Sequence, residues 1–167
     1  YSPFENPVYR IEEAVPNQPV VNHILEVAEF WLTEMNIDGF RLDVPNEVPF
    51  WFWELFRKKV KSVKSDAYIV GEIWHNAREW VNGKYCDAVM NYACFKDPVL
   101  KFFNLRRGDA ASFDRELKPG LLNYPVQATQ VMMNLIDSHD TYRYLEIARG
   151  DLTRLRLAVL FQMTYTG

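Results

Sequence analysis

From Val21 the apolar residues fall at 21, 24, 25, 28, 31, 32 and 35. That spacing lines one face of a helix of about four turns. A second stripe, Phe52, Leu55, Phe56, Val60 and Val63, predicts another helix, with Pro49 suited to its first turn. Arg57, Lys58, Lys59 and Lys61 on this helix read as a solvated face near its C-terminus, where the dipole favours cations. Short apolar runs at 40–44, 67–74, 87–92 and 131–137 are predicted strands. Between them, a short helix is expected at 76–81, then a turn at Asn82-Gly83. Asp97-Pro98 reads as a cap and first turn leading into a helix over 99–105. Asp109 or Ser112 can cap another helix that runs to Leu117, where Pro119-Gly120 breaks it. A last amphipathic helix is expected over 152–163, and residues 1–20, with Pro3, Pro7, Pro16 and Pro19, read as loop.

Strands that alternate with helices imply an α/β fold with a parallel sheet and right-handed crossovers. Composition agrees with a folded domain: 49% of residues are hydrophobic, enough for a core. The net charge of -3 argues against a nucleic-acid partner, which requires a basic surface. No apolar run approaches the roughly 20 residues that cross a bilayer, so no membrane partner is expected. Two cysteines, Cys86 and Cys94, do not make a disulfide framework and are expected as free buried thiols. The many aromatic residues fill a core, and some can serve as flat platforms for sugar rings.

Candidate chemistry sits just beyond the predicted strands. Asp43 closes Gly39-Phe40-Arg41-Leu42-Asp43, Glu72 follows Val70-Gly71, and Asp140 follows Ser138-His139. Acids at the same ends of parallel strands converge on one pocket. Arg41, two residues before Asp43, points to the same side and keeps that carboxylate ionised, as a nucleophile must be. Glu72, between Gly71 and Ile73-Trp74, is expected in an apolar, aromatic setting suited to a general acid. Each signal alone has a plain structural reading, as an Arg–Asp ion pair, an exposed strand-end glutamate or a loop ion pair between His139 and Asp140. Other chemistries find less support. No Gly-x-Ser-x-Gly elbow is present, the three histidines are far apart in sequence, and no phosphate-cradling glycine loop occurs.

Asp38-Gly39-Phe40-Arg41-Leu42-Asp43, Gly71-Glu72-Ile73-Trp74-His75 and Ser138-His139-Asp140-Thr141, in this order, resemble the α-amylase family of glycoside hydrolases. The likeness runs from about Val20 to Gly167. It implies a (β/α)8 TIM barrel and a retaining mechanism, with Asp43 as nucleophile, Glu72 as acid/base and Asp140 as transition-state stabiliser. Arg41 would partner Asp43, and His139 would donate to a sugar hydroxyl. Val44-Pro45-Asn46-Glu47 and Asp87-Ala88-Val89-Met90-Asn91-Tyr92 are similar to the neopullulanase, cyclomaltodextrinase and maltogenic amylase branch, with Pro45 a departure from that branch's alanine. On this resemblance Asn46, Glu47, Trp74 and His75 line the acceptor side, and Tyr92 and Arg143 join the substrate-binding residues.

The resemblance implies an α-glucan oligosaccharide substrate, no organic cofactor, a homodimer of the full-length enzyme and a cytoplasmic location. Calcium remains open for the full-length enzyme. Residues 1–167 are expected to be one partial catalytic domain, about strands four to seven of the barrel, and so inactive and aggregation-prone if made alone. Rival readings are an α-1,6-glucosidase or sucrose-isomerising relative, a non-catalytic amylase-like binding subunit, and a flavodoxin-like binding domain.

Overall fold

A computed structural model describes residues 15–167. Pro3 and Pro7, read as loop residues, lie outside the described residues. Helix α1 (Gln18–Thr33) starts before the expected stripe because Pro19 sits in its first turn, where a missing N–H costs nothing. Of the stripe, Val21, Ala28 and Leu32 are buried, whereas Ile24, Trp31 and Met35 are exposed. Helix α2 (Phe50–Val63) packs on α1 but covers only part of that face.

Pro49 is the residue before α2 rather than its first helical residue. The core face of α2 is Phe52, Trp53, Phe56 and Val60, and Leu55 is 40% exposed. Trp53 displaces Leu55 from the core because its indole N–H donates to the Pro45 carbonyl at 2.8 Å while its ring joins the buried cluster. The basic residues of α2 are not a free solvated face. Arg57 Nη1 and Lys61 Nζ each lie 2.8 Å from the Asp87 carboxylate, Lys59 pairs with Glu29 at 2.6 Å, and Lys58 pairs with Glu54 at 2.9 Å.

Strands β1 (Gly39–Leu42), β2 (Tyr68–Gly71) and β3 (Ala88–Val89) form a parallel sheet in the order β1-β2-β3. Each is shorter than its apolar run. Gly39 is needed where it stands, since a Cβ there would run into the Tyr68 carbonyl across the β1–β2 pair. The segment 76–81 is a series of turns, not a helix. Asn76 Oδ1 accepts from Arg78 N at 3.0 Å and Asn82 Oδ1 from Lys84 N at 2.9 Å, local bonds that compete with helix formation. The fourth run, 131–137, makes a single parallel bridge, Met90 to Met133, rather than a strand among the described residues.

After β3 the helix begins at once. π-helical turns Tyr92–Lys96 and Leu100–Asn104 flank helix α3 (Asp97–Val99). Asp97 is therefore inside a helical run rather than its cap. Pro98 has no N–H for an α-type bond, and the wider π turns carry the chain around it. Helix α4 (Ala110–Leu122) is capped by Asp109, whose carboxylate accepts from Ser112 N at 2.8 Å. It runs through Pro119 instead of stopping there, and Asn123 N still bonds the Pro119 carbonyl at 3.0 Å. Gly120 lets α4 press on the π turn, because a Cβ there would lie 2.9 Å from the Cys94 Cβ. Helices α5 (Val126–Thr129), α6 (Tyr144–Ile147) and α7 (Leu152–Thr164) complete the segment. α7 forms where a helix was expected, but it does not show the amphipathic burial expected of it: Ala158 is its one buried residue, whereas Leu152, Leu157, Val159, Leu160 and Met163 are exposed. α5 and α6 are too short to show in the apolar pattern. Cys86 and Cys94 are free and buried, as expected.

Candidate active site

The register of the sheet builds the site. Leu42 pairs with Gly71, and Glu72 N donates to the Leu42 carbonyl at 2.9 Å. Asp43 and Glu72 are thus the next residues on adjacent strands, whose backbones lie roughly 4.8 Å apart. One guanidinium meets both: Arg41 Nη1 contacts the Asp43 carboxylate, and Arg41 Nη2 lies 2.9 Å from Glu72 Oε1.

The two carboxylates differ in surroundings. Asp43 has a side chain 76% exposed, open to an incoming molecule. Glu72 is 4% exposed. Its setting is less apolar than the flanking residues suggest, for two further donors reach it. Val44 N–H donates to Oε2 at 3.2 Å, and the Trp74 indole N–H to Oε1 at 3.3 Å. Val44 itself, just past the end of β1, adopts a left-handed backbone, φ 36 and ψ 53. A β-branched residue rarely holds that conformation, and the strain marks a constrained position.

Trp74 leaves 44% of its surface open beside Glu72, while its ring stacks on Tyr92 at 4.2 Å and 8°. Tyr92, grouped with the substrate contacts from sequence, is only 1% exposed because Trp74 covers it. Its hydroxyl donates to Ser138 Oγ at 3.0 Å. Burial pushes that hydroxyl above its ordinary range, the Ser138 bond opposes the rise, and the negative charges of Glu72 and Asp140 add to it.

The third acid sits on a tight turn. Ser138 N donates to Thr141 Oγ1 at 2.9 Å, and Asp140 N to Ser138 Oγ at 3.3 Å. His139 Nε2 lies 3.1 Å from Asp140 Oδ2, both side chains open to solvent. Arg143, exposed, pairs with Asp137 at 3.1 Å. Asn46 and Glu47 occupy a 3-10 turn, Pro45–Glu47, directly after Asp43, with Asn46 half-buried and Glu47 exposed. His75 is exposed next to Trp74. Ser138 and the Val44 N–H were not foreseen. Serine as a side-chain cap of a turn was the available signal for the first; nothing in residue type points to the second. Among the described residues no group of three or more His, Cys, Asp or Glu is placed to hold a metal ion. Nor is any helix of the described residues long and apolar enough to cross a membrane.

A parallel sheet that offers acids just past the ends of its strands is the arrangement of barrel-type enzymes. Residues 14–167 match the family described as alpha amylase, catalytic domain, and the chain belongs to the alpha-amylase family. Similar proteins include a cyclomaltodextrinase of a Bacillus species, 51% identical over 89% of this chain and 26% of that protein. Neopullulanase 2 of Thermoactinomyces vulgaris is 50% identical over 90% of this chain and 26% of its own length. A solved cyclomaltodextrinase structure superposes with a TM-score of 0.86 at 50% identity, over 89% of this chain and 25% of that one. The chain thus spans about a quarter of the length of these relatives.

Proposed function

We propose that this chain supplies the catalytic carboxylates of a retaining α-glucan hydrolase that cleaves α-1,4-glucosidic bonds in maltooligosaccharides, cyclodextrins or pullulan. The observation that carries the reading is the Arg41 guanidinium touching Asp43 and Glu72 at once. Retention requires two carboxyls about 5–5.5 Å apart, and adjacent residues on paired strands suit that spacing.

In this reading Glu72 protonates the glycosidic oxygen as Asp43 attacks the anomeric carbon. The sugar–oxygen bond breaks, and a glycosyl–Asp43 ester forms. The ionised Glu72 then takes a proton from water, whose oxygen displaces Asp43 and restores the configuration. Arg41 contacts the Asp43 carboxylate and orients it, and Asp140 with His139 grips hydroxyls of the distorted sugar. The open face of Trp74 offers a platform on the acceptor side, with Asn46, Glu47 and His75 around it.

The same proposal makes β1, β2, β3 and the segment 131–137 the fourth to seventh strands of a (β/α)8 barrel, and residues 1–167 part of its catalytic domain. A cytoplasmic homodimer completes the reading for the full-length protein.

The test uses the full-length enzyme. Glu72→Gln is expected to lower turnover on cyclodextrin and pullulan by about 10²–10⁴-fold with the fold intact by circular dichroism. Proton NMR of the first products should show the α-anomer. Wild-type turnover in Glu72→Gln, or first products in the β configuration, would refute the mechanism. Products from cyclodextrin, pullulan and isomaltose separate this substrate class from α-1,6-glucosidase activity.

A further inference from the structure

Tyr92 is a buried phenol that the proposed chemistry does not use. Its ring is stacked under Trp74, whose indole N–H donates to Glu72. The Lys96 ammonium lies over the same ring, 5.7 Å from its centre, and pairs with Asp97 at 3.2 Å. Its hydroxyl reaches Ser138 Oγ, a buried group that also accepts the Asp140 N–H. A rigid aromatic ring thus connects the end of β2 to the turn that bears the third acid, which is distant in sequence.

We propose that Tyr92 and Ser138 are positioning residues: the Tyr92 hydroxyl, through Ser138 Oγ, fixes the Asp140 turn relative to Glu72. The inference rests on the assignment of Asp140 as the transition-state stabiliser. A buried phenol hydroxyl requires a partner, and here that partner is the serine that also accepts the Asp140 N–H. The Ser138–Thr141 bonds already close the turn upon itself, so the Tyr92 bond contributes its placement, not its shape. Placement matters most when the sugar is distorted, so its loss should fall on kcat more than on KM.

The experiment compares Tyr92→Phe, Ser138→Ala and the double variant in the full-length enzyme, with turnover normalised to titrated active sites. Tyr92→Phe keeps the ring stack and removes only the donor. It is expected to lower kcat on cyclodextrin by about three- to tenfold, with KM within about twofold. Ser138→Ala should cost more, because it also frees the Asp140 N–H. In the Ser138→Ala background Tyr92→Phe should add less than about twofold, since its partner is already gone. Turnover of Tyr92→Phe within twofold of wild type overturns the proposal. So does an equal loss in both backgrounds, or a loss confined to melting temperature. Should Tyr92→Phe fail to fold, Ser138→Thr carries the test: it keeps the hydroxyl and recovers part of what Ala loses, and equal losses in Thr and Ala count against the idea. Glu72→Gln run alongside separates the two failures. An active Glu72→Gln sinks the assignment of the site, whereas an inactive one beside an unaffected Tyr92→Phe sinks only this inference.

Discussion

Cys86, just before β3, is buried, and burial pushes its thiol up to about 12. It stays protonated at neutral pH, and a protonated thiol is a poor nucleophile. Cys94 is also buried. Neither should react with a thiol reagent such as DTNB in the native full-length protein at pH 7.5, and both should react in denaturant; rapid native labelling of Cys86 would contradict this packing. At this scale the sequence was legible where partners sit close in it. Arg41 and Asp43 share a strand face by simple alternation, and the structure pairs them. The donors to Glu72 were not legible. One is the backbone N–H of Val44, a valine in a left-handed conformation that residue preference argues against. The burial of Tyr92 was not legible for a related reason: residue type shows an aromatic near the site, but not which ring covers which.

Asp87, just before β3, ties α2 to β2. Its carboxylate accepts from Lys61 of α2 at 2.8 Å and from the Ile69 N–H of β2 at 2.9 Å, and it pairs with Arg57 of α2 at 2.8 Å. Burial raises this carboxyl, yet the bonds from Lys61, Ile69 N and Arg57 together hold it below its ordinary value. A depressed folded value gives stability that is present above the unfolded value, about 3.9, and lost as pH falls through the folded one. Asp87→Asn strands two partly buried cations, so it should destabilise the protein by about 3 kcal/mol at pH 7, read from urea unfolding. The gap between variant and wild type should close as pH drops below about 4. A constant gap from pH 7 to 3 would show that the effect is not the ion pair. Lys59 with Glu29, at the surface, should contribute about 0–1 kcal/mol. The elements that apolar periodicity predicted (α1, α2, α7 and three strands) are present. The misses were local. Asn76 and Asn82 make turns where a helix was expected, and π turns carry the chain past Pro98. Both outcomes depend on side-chain bonding or ladder repair that periodicity does not encode.

At the scale of the molecule, β1 is paired on one side only among the described residues. An apolar groove of 570 Å³ runs beside it between α1 and α2, walled by Val20, Ile24, Phe40 and Trp51, with Arg41 and Asp43 on its lining. Leu157, Leu160 and Met163 of α7 are likewise exposed. Such faces are what a segment of a larger barrel would present to its neighbours. The parallel order was legible from the expected alternation of helices and apolar runs, although the β2–β3 connection holds turns and no helix. The meeting of Asp43 with Glu72 depended on register, which no single run of sequence states. The claim that most depends on that register is the covalent role of Asp43. It is tested by giving the full-length Glu72→Gln variant an α-maltosyl fluoride, whose leaving group needs no acid, and analysing the protease digest by mass spectrometry. The account predicts a maltosyl adduct on the peptide that contains Asp43, formed through its carboxylate and absent in Asp43→Asn. An adduct on the Asp140 peptide instead, or none under conditions where fluoride is released, would contradict it.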